Sequence, residues 1–170
     1  MRFTSYILAA SAALLGSGVV QGLTINPKTI TPPKHLYSFS LKFTDNYAFS
    51  GPLGYRVGLG LTGGDMTAPN GTLIGKFIPG IGGETGIIDT NNNLQIDVRG
   101  YVKFADEPNS YAFLHITGVG PLAGKPYDAH HIETNSTTRS AWNTYFVVAN
   151  VTLVNPALLI GDAFAWSTSA

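Results

Sequence analysis

Residues 94 to 104 read Leu94-Gln95-Ile96-Asp97-Val98-Arg99-Gly100-Tyr101-Val102-Lys103-Phe104. Leu94, Ile96, Val98, Val102 and Phe104 fall on one side of an extended chain, and Gln95, Asp97, Arg99, Tyr101 and Lys103 on the other. A period of two is the strand signal, because successive side chains leave opposite faces of a pleated backbone. The same alternation recurs in Tyr37, Phe39, Leu41 and Phe43, set against Ser38, Ser40 and Lys42. It returns in Tyr55, Val57, Leu59 and Leu61, set against Arg56, Gly58 and Gly60.

Working outward, strands are predicted at 72–78, 111–119, 130–134, 142–154 and 158–166, divided by turn-forming pieces such as Pro79-Gly80, Asp106-Glu107-Pro108-Asn109 and Asn155-Pro156. Twenty glycines and ten prolines punctuate the chain, and no run has helical spacing beyond the first residues. About eight closely spaced strands predict an all-β protein, a sandwich or a closed barrel, and a single antiparallel barrel is favoured because closure removes exposed edges. A barrel of about eight strands has room inside for side chains or one small ligand.

The chain opens with Met1-Arg2, an apolar run from Tyr6 to Leu15, and the small residues around Gly22. That order predicts a signal peptide over 1–22, then an extended arm over 23–35 carrying Pro27, Pro32 and Pro33, then a barrel domain over 36–170. The expected destination is the secretory pathway, with no stable membrane span. Asn70-Gly71-Thr72, Asn135-Ser136-Thr137 and Asn150-Val151-Thr152 are then candidate glycosylation triplets at Asn70, Asn135 and Asn150, the last within a strand.

Composition narrows the function. Ten basic and ten acidic residues balance to a formal charge of zero, without the cationic cluster that a nucleic-acid partner requires. No cysteine is present, which excludes disulfides, thiolate catalysis and iron–sulfur clusters. Gly60-Leu61-Thr62-Gly63-Gly64 and Gly80-Ile81-Gly82-Gly83 read as turns, since neither opens a helix whose amides would hold a phosphate.

Candidate chemistry must be assembled across strands. Asp97, Arg99 and Tyr101 occupy alternate positions and would converge on one ligand if their face lines the lumen. Arg99 and Tyr101 are then polarising donors and Asp97 orients the guanidinium. His130-His131-Ile132-Glu133 offers imidazole and carboxylate donors that suit a transition metal, but His131 and Glu133 share a face while His130 opposes them. A further ligand would have to come from His115 or Asp97, and the preferred reading is a solvated strand end with no metal. His115, Glu133 and Trp142 are the candidate ligand-binding residues, and the many aromatic residues suit a small-molecule pocket at a barrel mouth.

Several segments in order resemble a family of small bacterial and fungal β-barrel proteins known as a domain of unknown function. They are Thr62-Gly63-Gly64, Gly71-Thr72-Leu73, Gly80 to Gly83, Leu94 to Arg99, Gly118-Val119-Gly120, Ile132-Glu133-Thr134 and Ala141-Trp142. The Asp-x-Arg strand, Gly-Val-Gly turn and Glu-Thr segment match that pattern, whereas its Tyr-x-Trp-Leu-Asn run reads Ser140-Ala141-Trp142-Asn143-Thr144 here and the tryptophan after its glycine turn is replaced at Glu84-Thr85-Gly86. At the level of size and fold the chain is also similar to allene oxide cyclase barrels (calycin-like) and fungal hetero-Diels–Alderases. The first resemblance implies the barrel and no established activity, and the second implies a cofactor-free cyclase or isomerase of secondary metabolism acting on a small apolar metabolite. The alternative is a secreted carrier or surface interaction protein. A homodimer is the assembly considered.

Overall fold

The computed structural model describes residues 32–166. The predicted signal peptide, the first part of the arm and the last four residues lie outside the described residues. Ten antiparallel strands are found: β1 (Lys34–Gly51), β2 (Gly54–Gly63), β3 (Asp65–Thr67), β4 (Leu73–Glu84), β5 (Ile87–Ile88), β6 (Asn93–Phe104), β7 (Tyr111–Pro121), β8 (Tyr127–Thr134), β9 (Phe146–Asn155) and β10 (Leu158–Trp166). They close into a barrel in the order β1-β10-β9-β8-β7-β6-β5-β2-β4-β3, with further pairing of β1 to β2 and of β4 to β6.

The all-β barrel agrees with the sequence reading, but the strands number ten among the described residues rather than about eight. The two extra strands, β3 and β5, are the shortest and follow glycine breaks. Gly63 and Gly64 take φ of 136° and 149°. A Cβ on Gly64 would stand 2.0 Å from the Ser40 carbonyl oxygen, so the chain changes direction where only glycine fits. A second difference concerns 142–154, expected as one strand. Ser140–Thr144 forms a 3-10 turn instead, and β9 begins at Phe146. The Asn143 amide explains the interruption, accepting from the Thr134 N–H at 2.7 Å and donating to the Thr134 carbonyl at 3.0 Å.

Alternation along each strand fills the barrel. Tyr37, Leu41, Leu61, Val98, Leu114 and Val147 are almost fully buried. Each such side chain contributes on the order of 2 kcal/mol, an upper figure because the unfolded chain is already partly collapsed. One end of the barrel is plugged. The Trp142 ring stacks on Tyr37 with centroids 5.4 Å apart and meets Phe104 edge-on. The Arg139 guanidinium lies 4.4 Å above the Phe104 ring and donates to Asp106 at 2.6 Å. Glu107 closes the loop beneath by accepting from the Ser136, Thr137 and Thr138 hydroxyls. The Ser136 hydroxyl first, then the Thr137 N–H at 2.7 Å, then the other hydroxyls hold its carboxyl well below the usual carboxylate range.

Candidate functional site

The opposite end holds a chamber of about 270 Å³, bounded by Phe43, Tyr55, Leu59, Glu84, Leu94 and Leu159, with Ala48, Val57, Ile88, Leu122, Leu153 and Pro156 completing its wall. Leu94 and Phe104 mark the two ends along β6, about 33 Å apart at ordinary strand rise. Beyond the chamber wall, Tyr47, Phe49 and Leu53 on the β1–β2 hairpin and Val154 at the end of β9 are exposed.

Glu84 is the acidic residue of this wall, and the glycine-rich part of β4 aims it inward. β4 pairs with β6 from Gly75 to Phe77, then again from Gly82 to Glu84, so residues 78–81 stand against Tyr101 alone. This bulge depends on Gly82, at φ 94°, where a Cβ would lie 2.0 Å from the Arg99 carbonyl oxygen. Past the bulge, Glu84 pairs with buried Val98 and shares its inward face. The residue is 5% exposed, and its Oε1 accepts from the Asp97 N–H at 3.0 Å. Burial pushes its pKa from 4.5 up to about 7; the charges of Asp97 and Asp128 add to the rise, against the lowering effect of the Asp97 and Gly86 amides.

Deeper in the barrel lies a second polar group of three. The Tyr37 hydroxyl is 2.6 Å from His130 Nδ1, and His130 Nε2 is 3.1 Å from Asp128 Oδ1. All three residues are 3% exposed or less. Burial, reinforced by the Asp128 charge, raises the Tyr37 pKa well above that of an ordinary phenol. The protonated phenol therefore donates to Nδ1, which leaves the ring proton on Nε2 facing Asp128.

The residues singled out in the sequence are distributed differently. Asp97, Arg99 and Tyr101 do not line the lumen: Val98, Gly100 and Val102 face inward on β6, which turns the polar stripe to the outside. There Asp97 accepts from His115 Nε2 at 3.0 Å and has Arg99 Nη2 at 3.6 Å, while Tyr101 rests against Phe113. Glu133 also faces outward and bonds His131 at 3.0 Å. Trp142 belongs to the plug at the end away from the chamber. His115, Glu133 and Trp142 are thus not brought together around one lumen ligand. Asn70, Asn135 and Asn150 are all exposed. The sequence does not single out Glu84, because its setting, Gly82-Gly83-Glu84-Thr85-Gly86, reads as a turn. The alternation does place Tyr37 on the apolar face of its strand and His130 opposite His131.

No family model and no curated protein matches the chain. Solved structures do. A conserved protein of unknown function from Rhodopseudomonas palustris is 16% identical, with a TM-score of 0.68 over 79% of this chain and 99% of its own. A β-barrel-like protein from Acinetobacter baumannii is 18% identical, with a TM-score of 0.67 over 79% of this chain and 94% of its own. An enzyme from Penicillium herquei is 19% identical, with a TM-score of 0.58 over 79% of this chain and 96% of its own. The likeness is one of fold. β-Barrel proteins of unknown function together with a fungal enzyme are the neighbours that the sequence resemblance implies.

Proposed function

We propose that the barrel binds a small, mostly apolar metabolite in the chamber at its open end and promotes its cyclisation or isomerisation without a cofactor. The observation that carries this reading is an apolar chamber of about 270 Å³ with one buried carboxyl in its wall, poised near neutrality. Its volume is just below the range of drug-sized ligand pockets, about 300–1,000 Å³, which suits a small guest. An apolar wall folds a flexible substrate and replaces encounter by proximity. A carboxyl whose pKa lies near the working pH supplies both proton donor and acceptor. As an acid Glu84 protonates a carbonyl or quinone-methide oxygen, and as a base it takes a proton from the attacking hydroxyl. The enzyme from Penicillium herquei, of similar fold, supports catalysis in such a barrel at the level of analogy alone. A secreted carrier would use the same chamber without turnover.

The reading extends to the secretory pathway and to a glycan on Asn70. That residue sits in an exposed turn where its Oδ1 accepts the Thr72 N–H at 3.0 Å. A glycosidase-dependent mass shift on secreted material checks this part.

The test of the chamber uses N-phenyl-1-naphthylamine, a neutral apolar dye. Dye fluorescence should rise on binding and be abolished by Ala48→Trp or Leu159→Trp, which fill the chamber. Binding that ignores both substitutions refutes the site. Among polyene and quinone-methide substrates, Glu84→Gln should lower turnover while dye binding persists. A barrel that binds the dye and turns over none of them is a carrier.

A further inference from the structure

The outer face of β6, β7 and β8 carries a cluster that the chamber does not use. Arg99, His115 and His131 stand directly opposite one another on successive antiparallel strands, so the two imidazoles are cross-strand partners. Such partners hold their Cβ atoms about 4.5–5.5 Å apart. Two rings at that spacing can close on one ion at the usual metal–nitrogen distance of ~2.0–2.1 Å.

Each ring is also set by a carboxylate of its own. His115 Nε2 meets Asp97 Oδ1 at 3.0 Å, and His131 Nε2 meets Glu133 Oε1 at 3.0 Å. A carboxylate accepts, so the ring proton belongs on Nε2 and the lone pair on Nδ1. Neither Nδ1 has a hydrogen-bond partner among the described residues. A histidine whose far nitrogen donates to a carboxylate is the usual form of a metal ligand, because that bond fixes the tautomer and makes the ligating nitrogen more basic. Here both rings have it.

From this we infer that His115 and His131 form a two-imidazole clamp for a divalent transition metal on the outside of the barrel, with Asp97 and Glu133 as positioning residues. Among the described residues no group of three or more His, Asp and Glu side chains surrounds one point. The clamp is therefore bidentate, and water completes the coordination. Imidazole donors and the general affinity order make Cu²⁺ the strongest occupant, ahead of Ni²⁺ and Zn²⁺. His130 is sealed in the core, and His35 stands opposite Phe164, so His115 and His131 are the cross-strand imidazole pair among the described residues.

Copper(II) chloride titrated into tag-free protein, followed by calorimetry and by electron paramagnetic resonance, tests the clamp. The expected result is one ion per chain with nitrogen couplings from two imidazoles. His115→Ala and His131→Ala should each weaken binding about tenfold or more, and Glu133→Gln by a smaller factor through the loss of ring orientation. His35→Ala should leave binding unchanged. His131 is 62% exposed at its side chain, so His131→Ala carries the test even if His115→Ala misfolds. Absence of one-to-one binding, its survival in the double variant, or its loss in His35→Ala overturns the inference.

Discussion

Replacing Glu84 by glutamine keeps the shape and the acceptor for the Asp97 N–H but removes the titrating proton. In the native barrel the carboxyl titrates at about 7 instead of 4.5, chiefly because it is buried. A folded-state pKa above the unfolded value means that the native state binds the proton more tightly. The stabilisation is present in full below pH ~4.5 and is lost as pH rises through ~7. At 1.36 kcal/mol for each tenfold in proton affinity, the gap amounts to about 3 kcal/mol. Wild type should therefore lose about that much stability between pH 4.5 and 8 on account of this residue. Glu84→Gln should lie close to wild type at pH 5 and exceed it by up to about 3 kcal/mol at pH 8. Urea denaturation of both proteins at pH 5, 6, 7 and 8 measures the difference, in which titrations elsewhere cancel. Parallel curves over that range would refute the argument, since they would mean that Glu84 reaches water in the native barrel and titrates as an ordinary side chain.

Tyr37→Phe strips the buried His130 Nδ1 of its donor and should cost about 1–3 kcal/mol in denaturant unfolding; an unchanged midpoint would show that the three-residue network is not formed. Gly82→Ala forces a Cβ against the Arg99 carbonyl at a φ of 94° and should destabilise by at least ~2 kcal/mol, read as a fall in Tm. Arg99→Ala and Tyr101→Phe alter the outer face alone, so N-phenyl-1-naphthylamine should bind both variants as it binds wild type. A tenfold loss in either would return the ligand site to that stripe.

The fold was legible because burial in a barrel is written residue by residue. The apolar half of 94–104 is the half that faces inward, and the Tyr37-to-Phe43 alternation locates the core side of β1. Strand ends were harder, because they depend on distant partners: the Asn143 amide that bonds Thr134 is what stops β9 from reaching back to Trp142. The site was the least legible part. A polar stripe on a long strand marks a face, and the same residues serve a lumen or the solvent until closure decides. Here closure gave the lumen to Val98 and Val102 and put Asp97 beside His115 outside.

By itself, then, the order of apolar and polar residues determined an all-β protein of short antiparallel strands, since a period of two with frequent glycine turns buries one face of each strand, and closure into a barrel came from the tertiary structure. It also set which residues share a face: Tyr37 with the core, His130 opposite His131. Only the tertiary structure decided which polar groups meet. Glu84 enters the chamber through a bulge that exists because Arg99, on another strand, leaves space only for glycine at 82. His115 and His131 become neighbours because β7 and β8 pair in one register, where a slip by one residue would turn one of them inward. Alternation is a local property of the chain. Register and closure are properties of the whole barrel, and both sites depend on them.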